Sequence, residues 1–120
     1  MQIPSSFFGS LSVEDFLAEY WQKKPLLVRG AWPGFETPLS PKAFMALSER
    51  EDAFSRLLVK LDGEHQWDVR EGPFSRSVFE GMSDSQWTLL IQEVDRLVPE
   101  VRDMLRVVSF LPNWRLDDVM

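Results

Sequence analysis

An alternating segment in the middle of the chain constrains the fold more than any other feature. The apolar residues that share one face of this segment are Leu57, Val59 and Leu61, with Lys60 on the opposite face. Asp62-Gly63 follows as a strong turn signal, and Gln66-Trp67-Asp68-Val69-Arg70 has the composition of a returning strand. The pattern predicts an antiparallel hairpin that ends at Gly72-Pro73, followed by an irregular segment from Phe74 to Gly81.

A first helix is predicted from about Ser12, its N-cap, to Gln22. Its apolar face comprises Val13, Phe16, Leu17, Tyr20 and Trp21. Lys23 and Lys24 lie near its C-terminal end, where cations are favoured, and Pro25 stops it. We interpret the two lysines as cap residues; a nucleic-acid contact is the alternative.

The segment after this helix contains a short apolar run and a loop. Leu26-Leu27-Val28-Arg29 is typical of a buried strand, and Gly30 to Pro38 has the glycine and proline content of a loop. Trp32 and Phe35 in that loop are interpreted as a lid over the core rather than as a binding surface. A second helix begins after the N-cap Ser40, with Pro41 at its first position, and its core residues are Phe44 and Leu47.

The C-terminal third gives a helical pattern and then an extended one. Ser83-Asp84-Ser85-Gln86 is typical of a capping box, and the residues with helical spacing after it are Trp87, Leu90, Ile91, Val94, Leu97 and Val98. Pro99 opens a further helix, which ends before Pro112; its expected core residues are Val101, Met104, Leu105 and Val108. The alternation over Trp114–Met120 predicts a strand that needs a sheet to join, so we expect the polypeptide to continue beyond Met120.

Composition excludes several classes of function. The chain has 120 residues, of which 44% are hydrophobic, enough for one globular domain. The absence of cysteine excludes disulfides and thiolate metal sites. A net charge of -6 argues against direct nucleic-acid binding, although an acidic surface could attract a basic protein. The start of the chain does not look like a secretory signal and no segment is long and apolar enough to span a membrane, so we expect a cytoplasmic protein.

The sequence offers few residues for catalysis. His65 is the single histidine, and no motif surrounds it, so we interpret it as a structural residue on the face that carries Trp67 and Val69. Asp117 and Asp118 could form a catalytic pair, but adjacent strand residues point to opposite faces. We therefore expect them to pair with Arg115 or other cations and to hold the sheet edge. No catalytic, cofactor-binding or metal-binding residue is assigned.

Four segments in the same order resemble the N-terminal region of one enzyme family. They are Tyr20-Trp21-Gln22-Lys23-Lys24-Pro25-Leu26-Leu27-Val28-Arg29-Gly30, Gly72-Pro73-Phe74, Trp87-Thr88-Leu89-Leu90-Ile91-Gln92 and Leu111-Pro112-Asn113-Trp114-Arg115-Leu116-Asp117-Asp118-Val119-Met120. The family is that of the bacterial JmjC-type ribosomal oxygenases, which are cupin-fold, Fe(II)- and 2-oxoglutarate-dependent protein hydroxylases. In this resemblance Trp87 to Gln92 is a strand, which overrides the local helical pattern.

The resemblance implies an α+β fold in which N-terminal helices and strands flank and extend a double-stranded β-helix core, most of which is missing. Residues 1–120 are then a single partial domain with no internal linker. Fe(II) and 2-oxoglutarate are implied for the complete protein but not for this chain alone, because a two-histidine, one-carboxylate site needs two histidines. The implied substrate is an arginine of a ribosomal protein, and a homodimer is one option for the complete protein.

Three functional interpretations follow. The first is an N-terminal structural segment of a ribosomal-protein hydroxylase, inactive alone. The second is a non-catalytic module that binds a protein partner. The third is a truncated remnant whose unpaired strand leaves an edge prone to aggregation. We prefer the first.

Overall fold

The computed structural model describes residues 3–120. Met1 and Gln2, which begin the segment that does not look like a secretory signal, lie outside the described residues. The helices are α1 (Val13–Glu19), α2 (Pro41–Leu47), α3 (Ser77–Glu80), α4 (Val94–Leu97) and α5 (Pro99–Met104). The strands are β1 (Ser55–Lys60), β2 (Trp67–Glu71) and β3 (Trp87–Ile91), and two 3-10 turns follow at Leu105–Val108 and Asn113–Arg115. The predicted mixture of helices and strands is confirmed.

The described chain divides into two compact units. The first contains residues 3–37 and 103–116, and the second contains residues 38–102 and 117–120. All three strands belong to the second unit.

The second unit is built on a three-stranded antiparallel sheet with the order β2-β1-β3. Leu57, near the middle of β1, lies opposite Arg70 of β2 and Leu89 of β3. The predicted hairpin is therefore confirmed, with a loop of six residues between its strands. Gly63 in that loop has a φ of +125°, a conformation that favours glycine.

β3 decides between the two predictions made for Trp87 to Gln92. The strand prediction, which rests on the resemblance, is confirmed, and the local helical pattern is wrong for these residues. Pairing with β1 supplies backbone hydrogen bonds along the whole segment, and Gln86, with a φ of +72°, directs the chain into the strand. Helix α4 begins three residues after the end of β3, so within this segment the predicted helix forms only over Val94–Leu97.

The core of the second unit lies on one face of its sheet. Leu57 and Ile91 on that face are completely buried. Ile91 clusters with Ala53, Val94, Val98 and Val101, and the partly buried residues packed on this cluster include Leu39, Phe44, Leu47, Leu89, Leu97 and Val119. Apolar side chains of short helices thus pack on the β3 side of the inner face, as expected for Phe44 and Leu47 of α2 and for Val101 of α5.

The N-caps predicted for the first two helices are present, whereas the capping box predicted at Ser83-Asp84-Ser85-Gln86 begins no helix, because these residues lead directly into β3. The Ser12 hydroxyl accepts a hydrogen bond from the Asp15 N–H at 3.0 Å, and the Ser40 hydroxyl accepts one from the Ala43 N–H at 3.1 Å. These bonds satisfy amides that have no partner within the first helical turn. Pro41 takes the first position of α2, as predicted.

Helix α1 is shorter than predicted, because Tyr20 caps it and Gln22 has a φ of +58°. The interpretation of the lysines as cap residues is confirmed for Lys23, whose Nζ donates to the carbonyl oxygen of Ala18. The Lys24 ammonium lies 4.4 Å from the centre of the Tyr20 ring, a cation–π contact.

Aromatic rings pack together in the first unit. Phe8 is buried, stacks on Phe16 with ring centres 4.3 Å apart, and meets the edge of Phe110 at 5.5 Å. Trp32 contacts Phe7 at 6.0 Å and Phe35 at 5.2 Å, so the loop residues interpreted as a lid do join this aromatic cluster. Aromatic content in this unit therefore serves packing.

The prediction of a buried strand at Leu26–Arg29 is wrong. These residues lie outside the sheet, and the side chain of Leu27 is 77% exposed while Leu26 and Val28 are partly buried. An apolar run becomes a strand only where a neighbouring strand offers hydrogen bonds, and the described residues place none beside it.

Two further predictions need correction. The segment from Phe74 to Gly81 is not wholly irregular, because Ser77–Glu80 forms α3. The expected strand over Trp114–Met120 is a 3-10 turn, Asn113–Arg115, followed by residues that belong to no strand. Within residues 3–120, every helix falls short of the length and apolar character that crossing a membrane requires.

Gly72 and Ser55 provide a test of the packing at the end of the hairpin. The Gly72 N–H donates to the Ser55 carbonyl at 2.9 Å, and a Cβ added to Gly72 would overlap Ser55 Oγ. We expect Gly72→Ala to lower the free energy of unfolding by about 1–3 kcal/mol in urea denaturation, because the site is overpacked. Gly81→Ala is the control, since an added Cβ there meets no atom within 4 Å.

Ser55→Ala should restore part of this loss in the double variant, because it removes the overlapping oxygen. Alone it should be nearly neutral, because Ser55 Oγ is buried without a hydrogen-bond partner among the described residues. Additive losses in the double variant would contradict this explanation.

Candidate functional site

The residues that could carry chemistry are scattered over the described chain. Within residues 3–120, no three His, Cys, Asp or Glu side chains come close enough together to hold a metal ion. The chain has one histidine and no cysteine. The described chain otherwise presents single polar residues, exposed ion pairs and surface hollows.

His65 lies in the loop between β1 and β2, not on the face that carries Trp67 and Val69, so that part of the prediction is wrong. Its φ of +62° places the backbone in the left-handed region. The side chain is 90% exposed, and its Nε2 lies 3.6 Å from the Glu64 carboxylate. The imidazole is therefore surrounded mainly by solvent, with the Glu64 carboxylate beside it.

Asp118 has a structural role that differs from the predicted one. Its carboxylate accepts a hydrogen bond from the Glu93 N–H at 2.7 Å. In return, the Asp95 carboxylate accepts from the Val119 N–H at 2.8 Å, and the Val119 carbonyl accepts from the Val94 N–H at 2.9 Å. These three bonds, which we call the tail clamp, attach residues 118 and 119 to the start of α4.

Arg115 is not the partner of either aspartate, because its guanidinium lies over the Trp114 ring at 4.5 Å. Asp117 is exposed. The interpretation of the aspartate pair as structural is therefore supported for Asp118, but through backbone amides rather than through a cation or a sheet edge.

The ion pairs of the described chain lie at its surface. Arg50 donates two hydrogen bonds to Asp52, at 2.7 and 2.6 Å, and the side-chain hydrogen bond is the main reason that the pKa of Asp52 is lowered. A lowered carboxyl pKa stabilises the folded state at neutral pH, and this contribution is lost as the pH falls through the lowered value. Both partners are exposed, so solvent screening keeps the effect small.

The sheet face opposite the core carries apolar residues, and we call it the outward face. Because side chains alternate along a strand, its residues are Phe54, Arg56, Leu58 and Lys60 on and beside β1, Trp67, Val69 and Glu71 on β2, and Thr88, Leu90 and Gln92 on and beside β3. A hollow of about 280 Å³ lies at one end of this face, and Phe54, Arg56, Glu71, Leu90 and Met120 are among its lining residues.

A second hollow, of about 490 Å³, lies in the first unit. Its lining includes the rings of Phe7, Phe16 and Trp21 together with Leu26 and Leu27. The lining is mainly apolar, and Tyr20, Gln22 and Lys24 are among its members that carry polar groups. Neither hollow contains a constellation of acids, bases or nucleophiles in the described part of the chain.

The outward face was not anticipated from the sequence. The prediction for β1 concentrated on Leu57, Val59 and Leu61, yet Phe54 and Leu58 at alternate positions of this segment are apolar too, as is Leu90 on the same face of β3. Apolar residues on both faces of a strand are the signal for a sheet that is covered on both sides.

The tail clamp can be tested with neighbouring aspartates. We expect Asp118→Ala to lower the free energy of unfolding by about 1–2 kcal/mol, because the half-buried Glu93 amide loses a charged acceptor. Asp117→Ala is the matched control and should change it by less than about 0.5 kcal/mol. Equal effects of the two substitutions in thermal or urea denaturation would contradict a specific role for Asp118.

Comparison with known proteins gives a consistent family of similar chains, although no protein-family model matches. A "Probable ribosomal oxygenase" of Haemophilus influenzae is 33% identical over 110 residues, which cover 92% of this chain and 27% of that protein. The "Ribosomal protein uL16 3-hydroxylase" of Escherichia coli is 32% identical over 111 residues, which cover 92% of this chain and 29% of that protein.

Solved structures agree with the sequence comparison. The structure of YcfD, a ribosomal oxygenase from Escherichia coli, matches with a TM-score of 0.82 at 32% identity, and the match covers 91% of this chain and 29% of that one. A YcfD structure in complex with cobalt and 2-oxoglutarate matches equally well, with a TM-score of 0.82. The resemblance to ribosomal oxygenases is therefore confirmed, and the chain spans less than a third of the length of these relatives.

Proposed function

We propose that this chain is the N-terminal structural segment of a 2-oxoglutarate- and Fe(II)-dependent hydroxylase that acts on a ribosomal protein. The observation that supports this best is the agreement of sequence and fold: 32% identity and a TM-score of 0.82 against a ribosomal oxygenase over 91% of the chain. Identity of this degree along nearly the whole chain exceeds what a shared fold alone requires.

The chemistry is assigned to residues beyond this segment. The residues present here do not fit a two-histidine, one-carboxylate iron centre, because the single histidine is exposed and lies in a surface loop. They provide no cluster of metal ligands within residues 3–120. We therefore derive no catalytic step from this chain, and place Fe(II) and 2-oxoglutarate in the complete protein.

The role of the chain itself follows from its sheet. Helices of the second unit pack on Leu89 and Ile91 of β3, while the outer edges of β2 and β3 carry no further strand within the described residues. Such an arrangement suits a segment that flanks and extends a larger sheet. Residues 1–120 are then part of a single domain with a JmjC-type double-stranded β-helix, without an internal linker.

The proposed substrate is an arginine side chain of a ribosomal protein. Ribosomal proteins are basic, and the net charge of -6 on this segment is compatible with a basic partner. We further propose that the protein works in the cytoplasm, with no membrane and no nucleic acid among its direct partners. A homodimer of the complete protein is part of the same proposal.

The test compares two lengths of the polypeptide in one assay. The 120-residue chain and the longer polypeptide encoded by the same reading frame are each incubated with Fe(II), 2-oxoglutarate and uL16. We expect succinate release and a mass increase of one oxygen atom on uL16 only with the longer polypeptide. His65→Ala in that polypeptide should keep activity within about twofold, because the side chain is exposed in a surface loop and is assigned no catalytic role.

The contrary results separate the alternatives. Succinate release by the 120-residue chain alone would overturn its assignment as a structural segment. A folded longer polypeptide that consumes no 2-oxoglutarate would overturn the hydroxylase assignment and favour a protein-binding module. Mass spectrometry of uL16 peptides then locates the modified residue, and a residue other than arginine would overturn the substrate proposal alone.

A further inference from the structure

We draw no further inference here: the strongest candidate, the mainly apolar hollow of the first unit that is lined by Phe16, Trp21 and the exposed Leu27, carries none because nothing in the structure shows what covers it.

Discussion

The pairing of β1 with strands on both sides is the interaction on which the second unit depends. β1 aligns β2 and β3 in one antiparallel sheet, and its Leu57 is completely buried on the inner face. Helices α2, α4 and α5 then have a single apolar surface against which to pack, with Ile91 at its centre. Short helices of four to seven residues are not stable in water by themselves, so this sheet is what makes them persist.

Sequence rules correctly predicted the structural features that depend on contacts within a few residues. Ser12 and Ser40 cap helices because their hydroxyls reach amides three residues away, and Asp62-Gly63 turns the chain because glycine tolerates a positive φ. The same rules failed where long-range pairing decides. Trp87 to Ile91 has helical spacing but joins β1, whereas Leu26 to Arg29 has the composition of a strand but lies beside none among the described residues.

Predictions for the candidate site also failed where contacts between distant residues decide the structure. The sequence favoured structural roles for Asp117 and Asp118, but the partner of Asp118 is the Glu93 amide, 25 positions away, which no local pattern specifies. The outward face was missed because burial on the inner face explained Leu57 and Val59 first. Its exposed Trp67 and Val69 became informative only once the register showed that they share a surface.

Amide hydrogen exchange on the 120-residue chain tests most directly whether the segment is a folded scaffold organised by β1. We predict that the amides of Leu57 and Leu58 exchange among the slowest in the chain, and those of Leu26 and Leu27 among the fastest, because only the former lie in a central strand. If the amides of β1 exchanged as fast as those of Leu26 and Leu27, the sheet would not form without further polypeptide, and the account given for this segment would be contradicted.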